Sequence, residues 1–456
     1  MTKTARATFG GKFGVLMATL GTAVGLGNIW RFPYMCGAHG GAAFLLVFIL
    51  CVLFLGLPVM ITEFFIGRHS QRNVTGAFDV LAPGTRWNLI GYNGVIASFL
   101  ILGFYTVVSG WTLDYMFQSV FHSFENRTAT DFKTDFDTFS SGILRPIFWT
   151  LVVVGVTQFV IMSGVKKGIE RSAKILIPLL FVFLLLLAIR SVTLPNAGVG
   201  LKYLFEPDFS KIDSAAVLSA MGQAFFSLSI GMGCLITYSS YFGKQTNMQE
   251  TAFQVNVISI SVAILAGIII FPAAFSFGIQ PTAGAELVFI TLPNVFGQLP
   301  WGNLWAFIFY TLLAVAAITS VISLHEVVTL YLHEEHHISR KKAANYVSVS
   351  IFILASLCSL SLGVLKEYTL FGLTFFDFLD YITAKIMLPL GGMLICIFVG
   401  FRIEKKILKA ELTNEGTIPF YFFNAYAFFV KYIAPVAIAL ILLYEVGFIR
   451  LITGLF

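Results

Sequence analysis

Apolar residues run through this chain in long blocks separated by short polar or charged segments. About 20 apolar residues cross a bilayer core as a helix. Blocks at or near that length fall at 13–36, 42–67, 88–121, 144–164, 170–190, 214–242, 250–279, 303–332, 343–363, 374–400 and 424–448. The pattern predicts an all-α polytopic membrane protein with eleven transmembrane helices. Residues 287–324 carry no charge, but Pro293, Gly297, Pro300 and Gly302 divide them. A short re-entrant or surface helix is expected near 282–298.

Two blocks are interrupted by flexible residues. The first contains Gly21-Thr22-Ala23-Val24-Gly25-Leu26-Gly27-Asn28, and the sixth contains Ser227-Leu228-Ser229-Ile230-Gly231-Met232-Gly233. Each glycine weakens a helix by roughly 1 kcal/mol relative to alanine. Small residues also let helices pack closely. Two breaks, each in the first span of a five-span half, point instead to discontinuous helices in a 5+5 inverted repeat. Unwound backbone at membrane depth is tolerated only where it lines a cavity or binds something. The exposed helix ends offer amides to an anion and carbonyls to a cation. The predicted organisation is a first five-helix repeat at 1–190, a connection at 191–213, a second repeat at 214–400, and an additional eleventh helix with a short C-terminus at 401–456.

Composition narrows the class. Of 456 residues, 57% are hydrophobic and 11% are charged, against roughly 25% charged in soluble domains. A soluble enzyme, a disordered tail and a disulfide-stapled module are excluded. Cys36, Cys51, Cys234, Cys358 and Cys396 all lie in apolar stretches without a CxxC pair, and read as small core residues. The apolar run after the basic N-terminus reaches Asn28, Trp30 and Arg31 without a cleavage site, so the first span is read as uncleaved. Lys and Arg concentrate on alternate connections, including Arg68, Arg72, Lys166, Lys167, Arg340, Lys341, Lys405 and Lys406. The positive-inside rule then sets the N-terminus in the cytoplasm and the C-terminus outside. Asn126–Thr128 matches a glycosylation sequon, a tripeptide common by chance.

The motifs carry a specific resemblance. GTAVGLGNIWRFPY (21–34), QAFFSLSIGMG (223–233) and AAITSVISL (316–324) resemble the first, sixth and eighth spans of the neurotransmitter:sodium symporters, in the same order. The likeness extends from about residue 6 to 448. It implies a sodium-coupled symporter that imports a neutral hydrophobic L-amino acid, aromatic ones included, by alternating access in a bacterial inner membrane. The short termini and short second outer loop favour a bacterial member.

Site roles follow from the resemblance. One sodium site is implied at the carbonyls of Gly21, Val24 and Ala316 and the hydroxyls of Thr319 and Ser320. A Thr-Ser pair in a membrane helix otherwise bonds back to its own carbonyls. The other is implied at Ala23, Asn28, Ser227 and a seventh-span residue, Ser259 by its spacing from Pro272, with Asn256 one turn earlier as the alternative. Chloride-dependent relatives carry a Tyr, a Gln and two hydroxyls beside this site, and chloride-independent ones an acid. This chain has Gln223 and Ser227, but Phe48 and Ala263 at the other positions. It fits neither pattern, which leaves chloride open and favours a cycle that does not require it.

Gly25 stands where amine-carrying relatives place Asp, which implies a substrate that brings its own carboxylate. That group would meet the unwound amides of the first span and the Tyr105 hydroxyl. The implied substrate residues are Thr22, Ala23, Gly25, Gly27, Ile101, Tyr105, Phe226, Ser227, Ser229, Met232, Ser320, Ser323 and Leu324. They are apolar with hydroxyls at the edge, as in most ligand sites. Arg31 and Asp380, with Phe226 and Tyr105, are the implied outer gate. Arg6 and Glu334, with Ser240 and Tyr241, are the inner one. Gly168 and Pro178 resemble the family's element for unwinding the fifth span. Glu63 is expected to receive amides freed by the breaks. Lys385 is expected to pair with Asp380 or Asp377, or to snorkel.

Other signals are weaker. His333-Glu334-Glu335-His336-His337 formally matches HExxH, but it ends the eighth span without an obvious third ligand. His325-Glu326 reads as a packed polar pair. The expected partners are the amino acid and lipid, with no nucleic acid and no transition metal. The oligomer is a monomer or homodimer, and the last span is expected to lie remote from both ion sites.

Overall fold

The structure is a computed structural model that describes residues 6–121, 124, 127–278 and 287–447. Helices dominate, and among the described residues the sole β feature is an isolated Leu370–Leu373 bridge. Among the described residues, nine helices are long and apolar enough to cross a membrane: Ala42–Ser70, Asn88–Phe121, Leu144–Met162, Val165–Val192, Met248–Ser276, Gly302–Glu335, Arg340–Leu360, Phe375–Arg402 and Phe423–Glu445. These correspond to the predicted spans two to five and seven to eleven. In hydrocarbon every backbone polar group must find its partner within the protein, and an apolar helix achieves this locally.

The first and sixth spans do not form single rods. Gly11–Ala23 and Gly27–Ala38 meet at a bend of 54° and make a tenth crossing when taken together. The sixth divides into Ser214–Ser227 and Cys234–Ser239, with residues 228–233 outside any helix. Each half is too short to cross alone. The apolar helix Leu287–Gly297 occupies part of the region read as re-entrant or surface. Residues 282–286 lie outside the described residues, as does Asn126 of the sequon.

Helix ends follow local chemistry. Asp213 caps the sixth span by accepting from the Ala216 amide at 2.7 Å. Asn73 and Asn247 do the same for Val74–Leu81 and Met248–Ser276. Wide π-type turns occur at Gly27–Arg31, Val165–Glu170 and Tyr381–Met387. Such turns change the side-chain register along a helix. The two longest helices, Asn88–Phe121 and Gly302–Glu335, are buried over 83% and 78% of their apolar windows, against 33% for Leu144–Met162 and Val165–Val192. The former pair therefore forms the interior against which the broken spans lie, and the latter pair forms the lipid-facing wall.

Candidate functional site

The two breaks face each other and satisfy each other's backbone. Ser229, a non-glycine at φ +56°, donates its hydroxyl to the Thr22 carbonyl at 2.7 Å. Gln223 Nε2 donates to the Gly27 carbonyl at 2.7 Å and to Ser227 Oγ at 2.9 Å. The Met232 carbonyl accepts from Ser98 at 2.6 Å. The Gly231 amide donates to the buried Glu63 carboxylate at 2.8 Å, which is the role expected of Glu63. Gly231 has φ +82°, and a β-carbon there would stand 2.2 Å from the Leu388 carbonyl. Only glycine both adopts that conformation and allows the tenth span so close.

A cavity of about 30 Å³ lies between the breaks. Thr22, Gly25, Gly27, Asn28, Ile101, Tyr105, Phe226, Ser227, Ser229, Met232, Ser320, Ser323 and Leu324 line it. This brings together every residue of the expected substrate set except Ala23. Cys234 also lines it, although the sequence reading placed Cys234 in the core. Its position just after the sixth-span break was the available signal. Tyr105 Oη accepts from the Leu26 amide at 3.1 Å. A β-carbon on Gly25 would stand 2.5 Å from Ser320 Oγ and 3.0 Å from Tyr105 Oη. Three spans thus converge on a glycine that leaves no room for a side chain of its own.

Beside the cavity lie two groups of oxygens. Asn28 Nδ2 donates to Ser259 Oγ at 2.7 Å, and Ser259 Oγ lies 3.5 Å from the Ala23 carbonyl. The Asn28 Oδ1 atom is buried without a hydrogen-bond partner, so a hard acceptor is held ready for a cation. Asn256 turns elsewhere, its amide bonded to the Ala252 carbonyl at 2.8 Å and to Met60 Sδ at 3.3 Å. In the second group, Thr319 donates to the Val315 and Ala316 carbonyls and Ser320 to that of Ala316, at 3.0–3.2 Å. A hydroxyl that donates its proton keeps its lone pairs, so this back-bonding is compatible with ion ligation. Gly21 lies opposite, its β position 3.8 Å from Thr319 Cβ.

A vestibule of about 960 Å³ opens above the cavity. Tyr105, Gly27 and Phe226 line both spaces, so the Phe226 ring partitions them. Arg31 sits 4.4 Å over that ring. Arg31 and Asp380 both line the vestibule but form no ion pair with each other. The opposite end is closed. Arg6 pairs with Glu334 at 2.5 Å, donates to Ser240 at 2.7 Å and stacks 5.1 Å over Tyr241. Gln71, through its carbonyl at 2.7 Å, is a further partner that the sequence reading omitted. Gly168 lies in the wide turn that opens the fifth span, and Pro178 lies inside the helix that follows. A β-carbon on Gly168 would collide with the Val160 carbonyl.

Two readings are corrected. Lys385 pairs with Glu445 at 3.1 Å, not with Asp380 or Asp377. The eleventh span reaches the sixth, with Glu445 Oε1 3.7 Å from the β position of Gly222. His325 and Glu326 do not pair. His325 meets Ser348 and Thr329, whereas Glu326 holds Arg340 at 2.5 Å and Tyr241 at 2.5 Å. In the HExxH stretch, Glu334 is engaged by Arg6 and Glu335 by Arg72 at 3.1 Å.

Comparison with known proteins agrees with this geometry. The family model for the sodium:neurotransmitter symporter family matches residues 6–135 and 126–452. The sodium-dependent transporter YhdH of Bacillus subtilis is 38% identical over 436 residues, covering 96% of this chain and 97% of its own. The sodium-dependent transporter MJ1319 of Methanocaldococcus jannaschii is 31% identical over 433 residues, covering 90% and 86%. The crystal structure of MhsT in complex with L-phenylalanine superposes with a TM-score of 0.89 at 42% identity, covering 97% of this chain and 100% of that one. The chain belongs to the sodium:neurotransmitter symporter family and is a sodium-dependent, multi-pass membrane transporter, not an enzyme.

Proposed function

We propose that the protein imports a neutral, hydrophobic L-amino acid together with sodium across a bacterial inner membrane by alternating access. The observation that carries this reading is Gly25. Ser320 and Tyr105 crowd its β position, so the protein supplies no carboxylate there and the substrate brings its own. The apolar lining of Ile101, Phe226, Met232 and Leu324 favours an uncharged side chain. The phenylalanine bound by MhsT, a relative of 42% identity, points the same way.

Two sodium ions are assigned. One takes the Ala23 carbonyl, Asn28, Ser227 and Ser259, with the partnerless Asn28 Oδ1 as its anchor. The other takes Gly21, Val24, Ala316, Thr319 and Ser320. A substrate carboxylate beside Gly25 completes the first set, so each ligand raises the affinity of the other. Tenfold sodium gradients give about 1.4 kcal/mol, and 100 mV gives about 2.3 kcal/mol per charge. One ion then sustains roughly a 500-fold substrate gradient.

The closed Arg6–Glu334 end is assigned to the cytoplasm and the vestibule to the outside. The chain's eleven spans, counting the broken first and sixth, are assigned to a 5+5 repeat with one added helix, as a monomer or homodimer. Import then requires Phe226 and Arg31 to close over the substrate before Arg6 releases. Chloride is assigned no role, because Phe48 is fully buried against Phe32, with ring centroids 4.8 Å apart, and Ala263 offers no oxygen.

The test is uptake into proteoliposomes of a panel of labelled amino acids, with and without an inward sodium gradient. Sodium-driven accumulation of hydrophobic amino acids is expected. Absence of a sodium effect on every amino acid overturns the reading, and sodium-dependent binding without accumulation indicates a sensor.

A further inference from the structure

The acidic gate residue Asp380 and the cation Arg31 line the vestibule, and Lys385 lies on the same span as Asp380. Asp380 lies in the field of both Arg31 and Lys385, with Asp377 opposing them. Arg31 belongs to the first span and already covers Phe226. Lys385 follows Asp380 on the same span, within the wide turn Tyr381–Met387. Its ammonium is held elsewhere, 3.1 Å from Glu445 and 5.3 Å from the centre of the Tyr381 ring. Tyr381 in turn donates its hydroxyl to the Glu445 carbonyl at 3.4 Å. Glu445 ends the helix Phe423–Glu445 and touches the β position of Gly222, on the same half-helix as Phe226.

We propose that Glu445 is a positioning residue of the vestibule gate: by holding Lys385, it leaves Asp380 to Arg31, so that the gate closes over bound substrate. The argument is one of competition. Opposite charges attract more strongly as water is excluded, and closure excludes water from the vestibule. An unrestrained Lys385 on the same helix then neutralises Asp380 first, and Arg31 loses the partner that would pull Phe226 down. The last helix thus acts on the gate through one charge, without touching substrate. The proposal rests on the alternating-access reading above, in which Arg31 and Asp380 meet.

Two readouts separate this idea from that reading. Tritiated L-phenylalanine bound in sodium is diluted to measure dissociation, and KM and kcat for its uptake are determined. In parallel, a cysteine placed at the vestibule residue Val108 is alkylated in sodium, which reports gate position whichever amino acid is carried. Removing one partner of a charge pair acts mainly on dissociation, so E445Q is expected to speed it about tenfold and to raise KM more than it lowers kcat. It should also speed alkylation of the Val108→Cys protein. The double variant K385M/E445Q is expected to return toward wild type in both readouts, while K385R/E445Q, which keeps the loose cation, stays as impaired as E445Q. If K385M/E445Q is no better than E445Q, Glu445 acts by packing and the proposal fails. It fails equally if E445Q matches wild type. Should E445Q not fold, the two double variants still decide, because K385R/E445Q must then be worse than K385M/E445Q. If wild-type protein accumulates no amino acid, the transport reading fails, and the alkylation series still reports on Glu445.

Discussion

Two residues decide how the cavity reads its ligands. The Tyr105 hydroxyl accepts from the Leu26 amide and retains its own proton to donate to a carboxylate. Tyr105→Phe removes that donor and leaves the ring packed, so substrate affinity should fall about tenfold, the cost of one charge-assisted hydrogen bond. Equilibrium binding alongside thermal unfolding checks this, and unchanged affinity would move the carboxylate elsewhere. Ser259 and Asn256 are separable in the same way. Ser259→Ala should raise the sodium concentration for half-maximal binding severalfold, because its hydroxyl bonds Asn28 and faces Ala23. Asn256→Ala should leave that concentration near wild type. The sequence left these two open because they lie about one helical turn apart, and pattern alone does not say which faces the broken span. Lys385 was illegible for a related reason. Its partner belongs to another span, and no local periodicity joins them.

At the scale of elements, the breaks were readable, and of their partners Glu63 was while the others were not. Glycines and serines in an otherwise apolar run announce weak helix, so both interruptions follow from the residues alone. That Ser229 would satisfy Thr22, and Gln223 the Gly27 carbonyl, depends on how spans pack. The Arg6 end shows what such contacts hold shut. Glu334 accepts from Arg6 at 2.5 Å and from the Asn73 amide at 2.7 Å. Glu334→Gln should therefore loosen that end, speeding alkylation of a cysteine placed at the cavity residue Ser229 from the Arg6 side while lowering substrate affinity. A second clamp lies on the helix Lys405–Leu412, where Glu411 pairs with Arg68 at 2.6 Å and His69 at 2.9 Å. Burial raises the Glu411 carboxyl, but the hydrogen bond from His69 and the Arg68 charge outweigh it and hold it below its ordinary value. A depressed carboxylate stabilises the folded protein above its unfolded pKa and loses that contribution as pH falls through the folded one. Thermal stability should therefore drop on acidification below the ordinary carboxylate range, and Glu411→Gln should flatten that part of the curve.

For the whole molecule, the fold class and the general site were visible in the sequence because lipid permits so few solutions. Long apolar blocks must be helices, and any interruption must line something polar. Charge balance is a property of the whole site rather than of any one span. With Phe48 and Ala263 both buried, replacing chloride by gluconate should leave sodium-driven uptake unchanged within about twofold, a change of under 0.5 kcal/mol. A strong chloride requirement would place an anion where these residues leave no ligand.

The Lys385–Glu445 pair also bears on how the protein is made. Chains enter the membrane from the N-terminus, so the tenth span with its lysine arrives before the helix that carries the matching acid. Until Phe423–Glu445 is inserted, that lysine lacks Glu445 and is left with Asp380 on its own helix. The helix Phe423–Glu445 is thus the one that lets the second half settle, and a ribosome that stops short of Glu445 releases a protein still unfinished at its gate.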